Sequence, residues 1–444
     1  MGLGFLIACG AFLGNLHGLA MVGRWIALAG CFLWAWHRRT LTSWIMVSML
    51  VGIEVGMDSP EVGQNARVLS KIFLRLVKTV VAPLLFATLV VGVAGHSNLK
   101  QVGRMGLKSL IYFEVVTTLA LFIGLAAINL SQAGVGVRPP AHMEERPKTE
   151  PQTWEDVVLH VFPENIARSV HEGQVLQVVV FSLLFGVSLA LLPEDKKRHV
   201  LHLCEGLADV MFKFTNLIMY FAPIGVGAAM AYAVGHMGLD ILVPLFKLVA
   251  TLYVALVFFI LCVLLPVALF FRVPLLPFIQ AIADPVGLAF ATTSSEAALP
   301  KAMERLEKFG CPRQIVAFVL PTGYSFNLDG TTLYLALASI FVAQAAGIEK
   351  TMGEQVVMML TLMLTSKGVA GVPRASLVIL LGTAASFGLP EWPILAILGV
   401  DELMDMARTA TNVIGNCLAT CVISRWEGEF RPPGEREPEP EAAA

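Results

Sequence analysis

From residue 41 to residue 271 the chain alternates long apolar runs with short polar connections. A helix rises about 1.5 Å per residue, so a hydrocarbon core of about 30 Å takes roughly 20 mostly apolar residues. Runs of that kind lie at about 41–57, 67–95, 108–131, 174–192, 205–234 and 241–271, and each predicts a membrane-spanning helix. Three further blocks, about 277–346, 354–388 and 391–425, are apolar overall but interrupted by polar residues. Residues 427–444 are charged and proline-rich, which predicts a disordered cytoplasmic tail. The first forty residues open MGLGFLIACGAFLGNLHGLAMVG. They resemble the apolar core of a secretion signal but lack a basic start, and a second apolar piece containing Arg24 follows. They are read as an additional membrane-associated segment, with a cleaved signal as the alternative.

Composition agrees with the pattern. The 444 residues are 56% hydrophobic and 14% charged, with a mean hydropathy of +0.74. Soluble domains carry about 25% charged residues, so this is an integral membrane protein. A formal net charge of -2 gives no sign of a nucleic-acid partner. The seven cysteines (Cys9, Cys31, Cys204, Cys262, Cys311, Cys417, Cys421) show no CxxC pair and no zinc spacing. Basic residues orient the chain. His37, Arg38 and Arg39 precede the first main span, Lys100, Arg104 and Lys108 follow the second, and Lys196, Lys197 and Arg198 follow the fourth. These alternate loops are predicted to be cytoplasmic, and the long connection 132–173 to lie outside.

The last third departs from plain spans. FATTSSEAALP (290–300) sets a hydroxyl run and Glu296 inside an apolar block, GYSFNLDGTTLY (323–334) sets Asn327, Asp329 and Gly330 inside another, and SKGVAGVPRAS (366–376) breaks a third. In lipid, backbone freed from a helix must be buried in protein or line a wet cavity. Secondary transporters use such breaks to hold ions and substrates near the midplane. Mispredicted interfacial loops are the bland alternative.

The stretch DELMDMARTATNVIGN (401–416) then places a polar stripe on an apolar helix. At about 100° per residue, Asp401, Asp405, Thr409, Asn412 and Asn416 fall within about 80° of one another, with Arg408 on the flank. A central Asp or Arg costs roughly 2.5–3.5 kcal/mol on insertion scales, so the stripe faces protein, water or a ligand. Asp405 and Arg408, three residues apart, can pair with each other as helix glue. Alternatively they bind cargo: an arginine fork fits a carboxylate and Asp405 fits an ammonium. In the cargo reading the two stay ionised because a ligand bearing both charges neutralises them. That reading expects a void or solvent route beside the pair.

The order SSEAALP, NLDGT, AGVP, DxxxDMxRTxxN resembles the dicarboxylate/amino acid:cation symporter family, over residues 41–426. The resemblance implies an all-α elevator fold of eight transmembrane helices and two re-entrant hairpins, at about 277–308 and 354–388. Scaffold helices would lie at about 41–95, 108–131 in part, and 174–271, and a transport core at about 277–425. It also implies a homotrimer in the bacterial inner membrane and an acidic substrate. On its pattern Arg408, helped by Thr331, would bind the substrate's side-chain carboxylate and Asp405 its amino group. Asn412, Ser295 and Val372 would hold the main carboxylate, and Thr409 lies on the same surface. Asp329, Asn327, Asn416, Asp401, Gly323 and Ser325 fall on its ion-coupling positions.

C4-dicarboxylate carriers of the family resemble this chain too, but have a small uncharged residue at the position of Asp405. An unpaired carboxylate would repel succinate, so glutamate or aspartate is preferred, with a C4-dicarboxylate as the alternative. Leu328, Asn416, Lys367 and Val369 differ from the residues of sodium-driven members. Coupling to protons is therefore favoured, with sodium as the alternative, and no resident metal or other cofactor is expected. Proton-carrying candidates are Glu114, a lone acid in LIYFEVVTTLALF, with Asp329, Asp401 and Glu296. Leu335 stands where animal members carry a glutamate for potassium coupling, so potassium countertransport is not expected. Arg374, at the second hairpin tip, either reaches a substrate carboxylate or points to water. A membrane-embedded enzyme using Ser295 is disfavoured, since no histidine follows His236 and no GxSxG or HExxH motif occurs.

Overall fold

The computed structural model describes residues 17–94, 101–137, 159, 162–172, 175–365 and 375–431. Among these the chain is helical throughout. Helix α1 (His17–Arg38) turns through Arg39, in the left-handed region at φ 54°, into α2 (Leu41–Asp58). The Thr40 hydroxyl caps α2 by accepting the N–H of Ser43 at 3.2 Å. A short α3 (Pro60–Asn65) leads to α4 (Arg67–Ala94), and α5 (Gln101–Ser131), α6 (Ile166–Glu172) and α7 (Val175–Ala190) follow. Next come α8 (Glu194–Met219) and α9 (Ala222–Met237), then α10 (Leu242–Phe259), which passes through a π-turn at Ile260–Leu264 into α11 (Leu265–Phe270).

The first hairpin is α12 (Leu275–Thr292) and α13 (Ser295–Phe309). Thr293 at its tip is left-handed, at φ 52°, and the Ser294 side chain accepts from Ala297 N at 3.2 Å, so one short turn reverses the chain. Helices α14 (Arg313–Phe326) and α15 (Asp329–Ala345) are halves of one span broken at Asn327–Leu328. Helices α16 (Met352–Thr365) and α17 (Ala375–Ser386) fall within the range expected for the second hairpin, whose connection lies outside the described residues, and α18 (Trp392–Glu427) is the last helix described.

Two boundaries differ from the sequence reading. The span expected at 205–234 is two helices, α8 and α9, bent by 50°. Pro223 in the first turn of α9 has no N–H to give to the preceding turn, which ends α8 there. Helix α5 begins at Gln101 rather than 108, because its first turns are amphipathic rather than apolar. Six of the described helices are long and apolar enough to cross a membrane, or seven with the bent pair counted as one. Helix α18 falls outside that set because its polar stripe lowers its hydropathy, although its 36 residues exceed bilayer length.

Burial separates centre from periphery. The apolar stretch of the broken span Arg313–Ala345 is 94% buried, against 22–50% for the other spanning helices. Helices α15 and α18 are therefore the core, and the rest wrap them. Tight contacts depend on small residues, as lipid offers no hydrophobic drive between helices. A Cβ on Gly52 of α2 would sit 2.2 Å from the carbonyl oxygen of Gly227 on α9.

Candidate substrate and coupling site

The polar stripe of α18 faces inward along its length. Asp401, Asp405, Arg408, Thr409, Asn412 and Asn416 are all buried, Arg408 to 1% exposure. The Arg408 fork meets Asp401 end-on, Nη1 to Oδ1 at 3.0 Å and Nη2 to Oδ2 at 3.3 Å. Its Nε donates to Asp405 Oδ1 at 2.8 Å, and the Thr409 hydroxyl donates to the same oxygen at 3.1 Å. The guanidinium lies over the Tyr334 ring, 4.2 Å from its centroid. One cation therefore serves two carboxylates. Asp405 Oδ2 is buried with no hydrogen-bond partner among the described residues. Three of the five N–H donors of Arg408 are used in these bonds among the described residues.

This corrects the expectation of an ionised pair held open for cargo. The neutralising contacts are internal, and the pairing that the sequence reading weighed as helix glue is formed. Desolvation explains it: a buried guanidinium gathers the nearest carboxylates, and Asp401, seven residues away, lies almost directly above it on the helix. Residues 366–374, the expected tip of the second hairpin, lie outside the described residues, and so do Val372, Lys367, Val369 and Arg374.

Below this cluster α18 holds the break between α14 and α15. The first N–H groups of a helix have no partner within it. Asn412 supplies one: its Oδ1 accepts from Gly330 N at 2.8 Å and Thr331 N at 3.3 Å, while its Nδ2 donates to Thr331 Oγ1 at 2.9 Å. Asn416 Nδ2 donates to the Asn327 carbonyl at 3.2 Å, and Asn416 Oδ1 accepts from Asn327 Nδ2 at 3.3 Å. Asn327 Nδ2 also reaches Asp329 Oδ2 at 3.2 Å, and Asn327 N donates to the Gly323 carbonyl at 2.7 Å. The two helices approach closely enough to exclude side chains. A Cβ on Gly330 would lie 2.4 Å from the Arg408 carbonyl oxygen, and one on Gly415 would lie 2.1 Å from Asp329 Oδ2.

The structure thus brings together Asp401, Asp405, Arg408, Thr409, Thr331, Asn412, Asn416, Asn327, Asp329 and Gly323. Ser295 is buried at the tip of the first hairpin, whose arms pack on α18. The side chain of Ser325 is not among those described. Glu114 and Glu296, the other proton-carrying candidates, lie on exposed faces of their helices and do not join the buried cluster. A lone acid in an apolar helix does not reveal which face it occupies, and these two point outward. Sequence reasoning missed Tyr334 and Gly415. The spacing of Thr331 and Tyr334, three apart on α15, would have placed the ring on the site's face.

A central broken helix, a buried ion cluster on the helix beside it and several helices long and apolar enough to cross a bilayer define a multi-pass membrane transporter. The chain belongs to the sodium:dicarboxylate symporter family, which it matches over residues 41–426. It is 43% identical over 409 residues to a proton/sodium-glutamate symport protein of Geobacillus stearothermophilus, covering 88% of this chain and 96% of the relative. It is 41% identical over 402 residues to a proton/glutamate-aspartate symporter of Bacillus subtilis, covering 89% and 96%. A C4-dicarboxylate transport protein of Bacillus subtilis is 38% identical over 399 residues, covering 88% and 94%. The family and these relatives are transporters, not enzymes.

Proposed function

We propose that this protein is a symporter of the bacterial inner membrane that imports an acidic amino acid, glutamate or aspartate, together with protons. The observation that carries the choice is Asp405. Its Oδ2 is buried and unpartnered among the described residues, beside the Arg408 guanidinium. An amino acid supplies an ammonium to the carboxylate and a carboxylate to the guanidinium. Binding then exchanges an internal ion pair for two external ones, so no charge is left bare in the low-dielectric interior. Asp401 keeps Arg408 end-on throughout, and Tyr334 supports its face.

In this reading Asn412, Thr331 and Thr409 position the ligand, with Ser295 and Val372 contributed by the hairpin tips. Asn327, Asp329, Asn416, Gly323 and Ser325 form the coupling region. The surplus of acids over cations at the cluster supports uptake of a positive charge with the substrate, as a proton or as sodium. The carrier is taken to work as a homotrimer whose transport core moves as an elevator against a fixed scaffold. A C4-dicarboxylate is the second reading, supported by the relatives that carry that name. Uptake of labelled glutamate or aspartate into liposomes containing the purified protein tests the proposal. Succinate uptake with no response to either amino acid overturns it.

A further inference from the structure

Helix α1 lies outside the residues that match the family, yet charged groups bind it to them. Arg24 donates from Nε to Glu54 and from Nη2 to Asp58 Oδ1, the latter at 2.9 Å. The indole N–H of Trp25 donates to the other Asp58 oxygen at 2.9 Å. Glu54 and Asp58 are the two acids of an otherwise apolar α2, and Glu54 is 6% exposed. A carboxylate facing lipid without a partner is strongly disfavoured, so Glu54 fits its place while a cation covers it.

The opposite ends of α1 and α2 meet in matching register. The Phe32 and Trp36 rings lie 5.1 and 6.3 Å from that of Trp44. Arg24 against Glu54 and Asp58, and Phe32 and Trp36 against Trp44, describe one antiparallel hairpin closed by Arg39 and the Thr40 cap. The basic run His37, Arg38, Arg39 sits at that turn, which places the turn in the cytoplasm and Arg24 in the outer half. The 22 residues of α1 span about 33 Å, the length of the hydrocarbon core. Helix α1 is not among the six helices that are both long and apolar enough to cross by themselves, so its crossing rests on its pairing with α2.

We propose that residues 17–38 stay in the mature protein as a membrane-crossing helix, locked to the outer half of α2 by Arg24 on Glu54 and Asp58. Its N-terminal end is on the outer side. The exposed Val22, Ile26, Leu33 and Trp36 face the acyl chains of the bilayer. Trp34 and Trp36 lie at the inner end of the helix, in the manner of an interfacial belt.

Intact mass spectrometry of the full chain, purified from membranes by a C-terminal tag, tests retention directly. A mass that includes residues 17–38 is expected, and an N-terminus beyond Arg24 overturns the proposal. Arg24→Ala is expected to shift the thermal midpoint down. Adding Glu54→Gln and Asp58→Asn should recover part of the shift, because no charge then needs cover. An unchanged midpoint in Arg24→Ala overturns the lock. An epitope placed ahead of residue 1 should be reached by antibody in intact spheroplasts, and access only after permeabilisation overturns the topology. None of these readouts uses transport, so they fail or succeed separately from the substrate reading.

Discussion

Arg408 and Asp405 stand one turn apart on α18 and are joined by an Nε–H···Oδ1 hydrogen bond of 2.8 Å, with Asp401 closing the other end of the guanidinium. The pair is buried, so opening it without replacing both halves would strand charge in the interior, and in the proposed function the amino acid replaces both. Asp405→Ser removes the half that meets an ammonium. A hydrogen bond to a charged group contributes about 1.5–3 kcal/mol, so apparent affinity for the amino acid should fall roughly 10- to 100-fold. Competition against labelled substrate in liposomes measures it. An unchanged affinity would separate Asp405 from the substrate.

Arg408→Lys keeps the charge and removes the fork. The end-on contact with Asp401 and the Nε contact with Asp405 cannot both be rebuilt from one ammonium. Substrate binding should be lost to below detection, while the thermal midpoint falls less than in Arg408→Ala, which leaves two buried carboxylates without a cation. Calorimetric titration together with thermal unfolding of the two variants checks the order.

Gly330→Ala drives a methyl toward the Arg408 carbonyl, to within 2.4 Å of its oxygen, and backbone is the obstacle. The start of α15 must then move away from α18, carrying Thr331 off Asn412. Uptake should drop at least roughly tenfold with a lower midpoint. Asn412→Ala should mimic it by another route, leaving the N–H groups of Gly330 and Thr331 without their acceptor. Wild-type uptake in either variant would show that the break between α14 and α15 does not set the site.

Coupling is tested by gradients. With protons as the driving ion, an imposed inside-alkaline gradient should accumulate substrate in sodium-free buffer, and a proton ionophore should abolish accumulation. Uptake that dissipates a sodium gradient and ignores the ionophore would assign the coupling to sodium.

Much of this architecture is legible in the sequence, for identifiable reasons. Spans such as Leu242–Phe270 announce themselves by hydropathy, the break at Asn327 by a residue that tolerates non-helical backbone, and the turn at Thr293 by the hydroxyl run whose Ser294 caps the next helix. The stripe from Asp401 to Asn416 follows from helical periodicity alone. The bend before Ala222 is hidden because the residues that meet there, LIMYFAPIGVGAAM (217–230), form one continuous apolar run. The outward faces of Glu114 and Glu296 are hidden because composition does not fix the rotation of a helix. The choice of Asp401 as the end-on partner of Arg408 depends on seven-residue spacing, which competes in the sequence with the three-residue spacing to Asp405. In the structure both contacts form, with the Tyr334 ring packed against the guanidinium that makes them.

Counterflow in liposomes, with glutamate, aspartate and succinate offered in turn to the wild type and to Asp405→Ser, probes the exchange of the buried pair most directly. The wild type should exchange the two amino acids and leave succinate outside, and the variant should lose that preference. Exchange of succinate by the wild type, with the amino acids inert, would contradict the account.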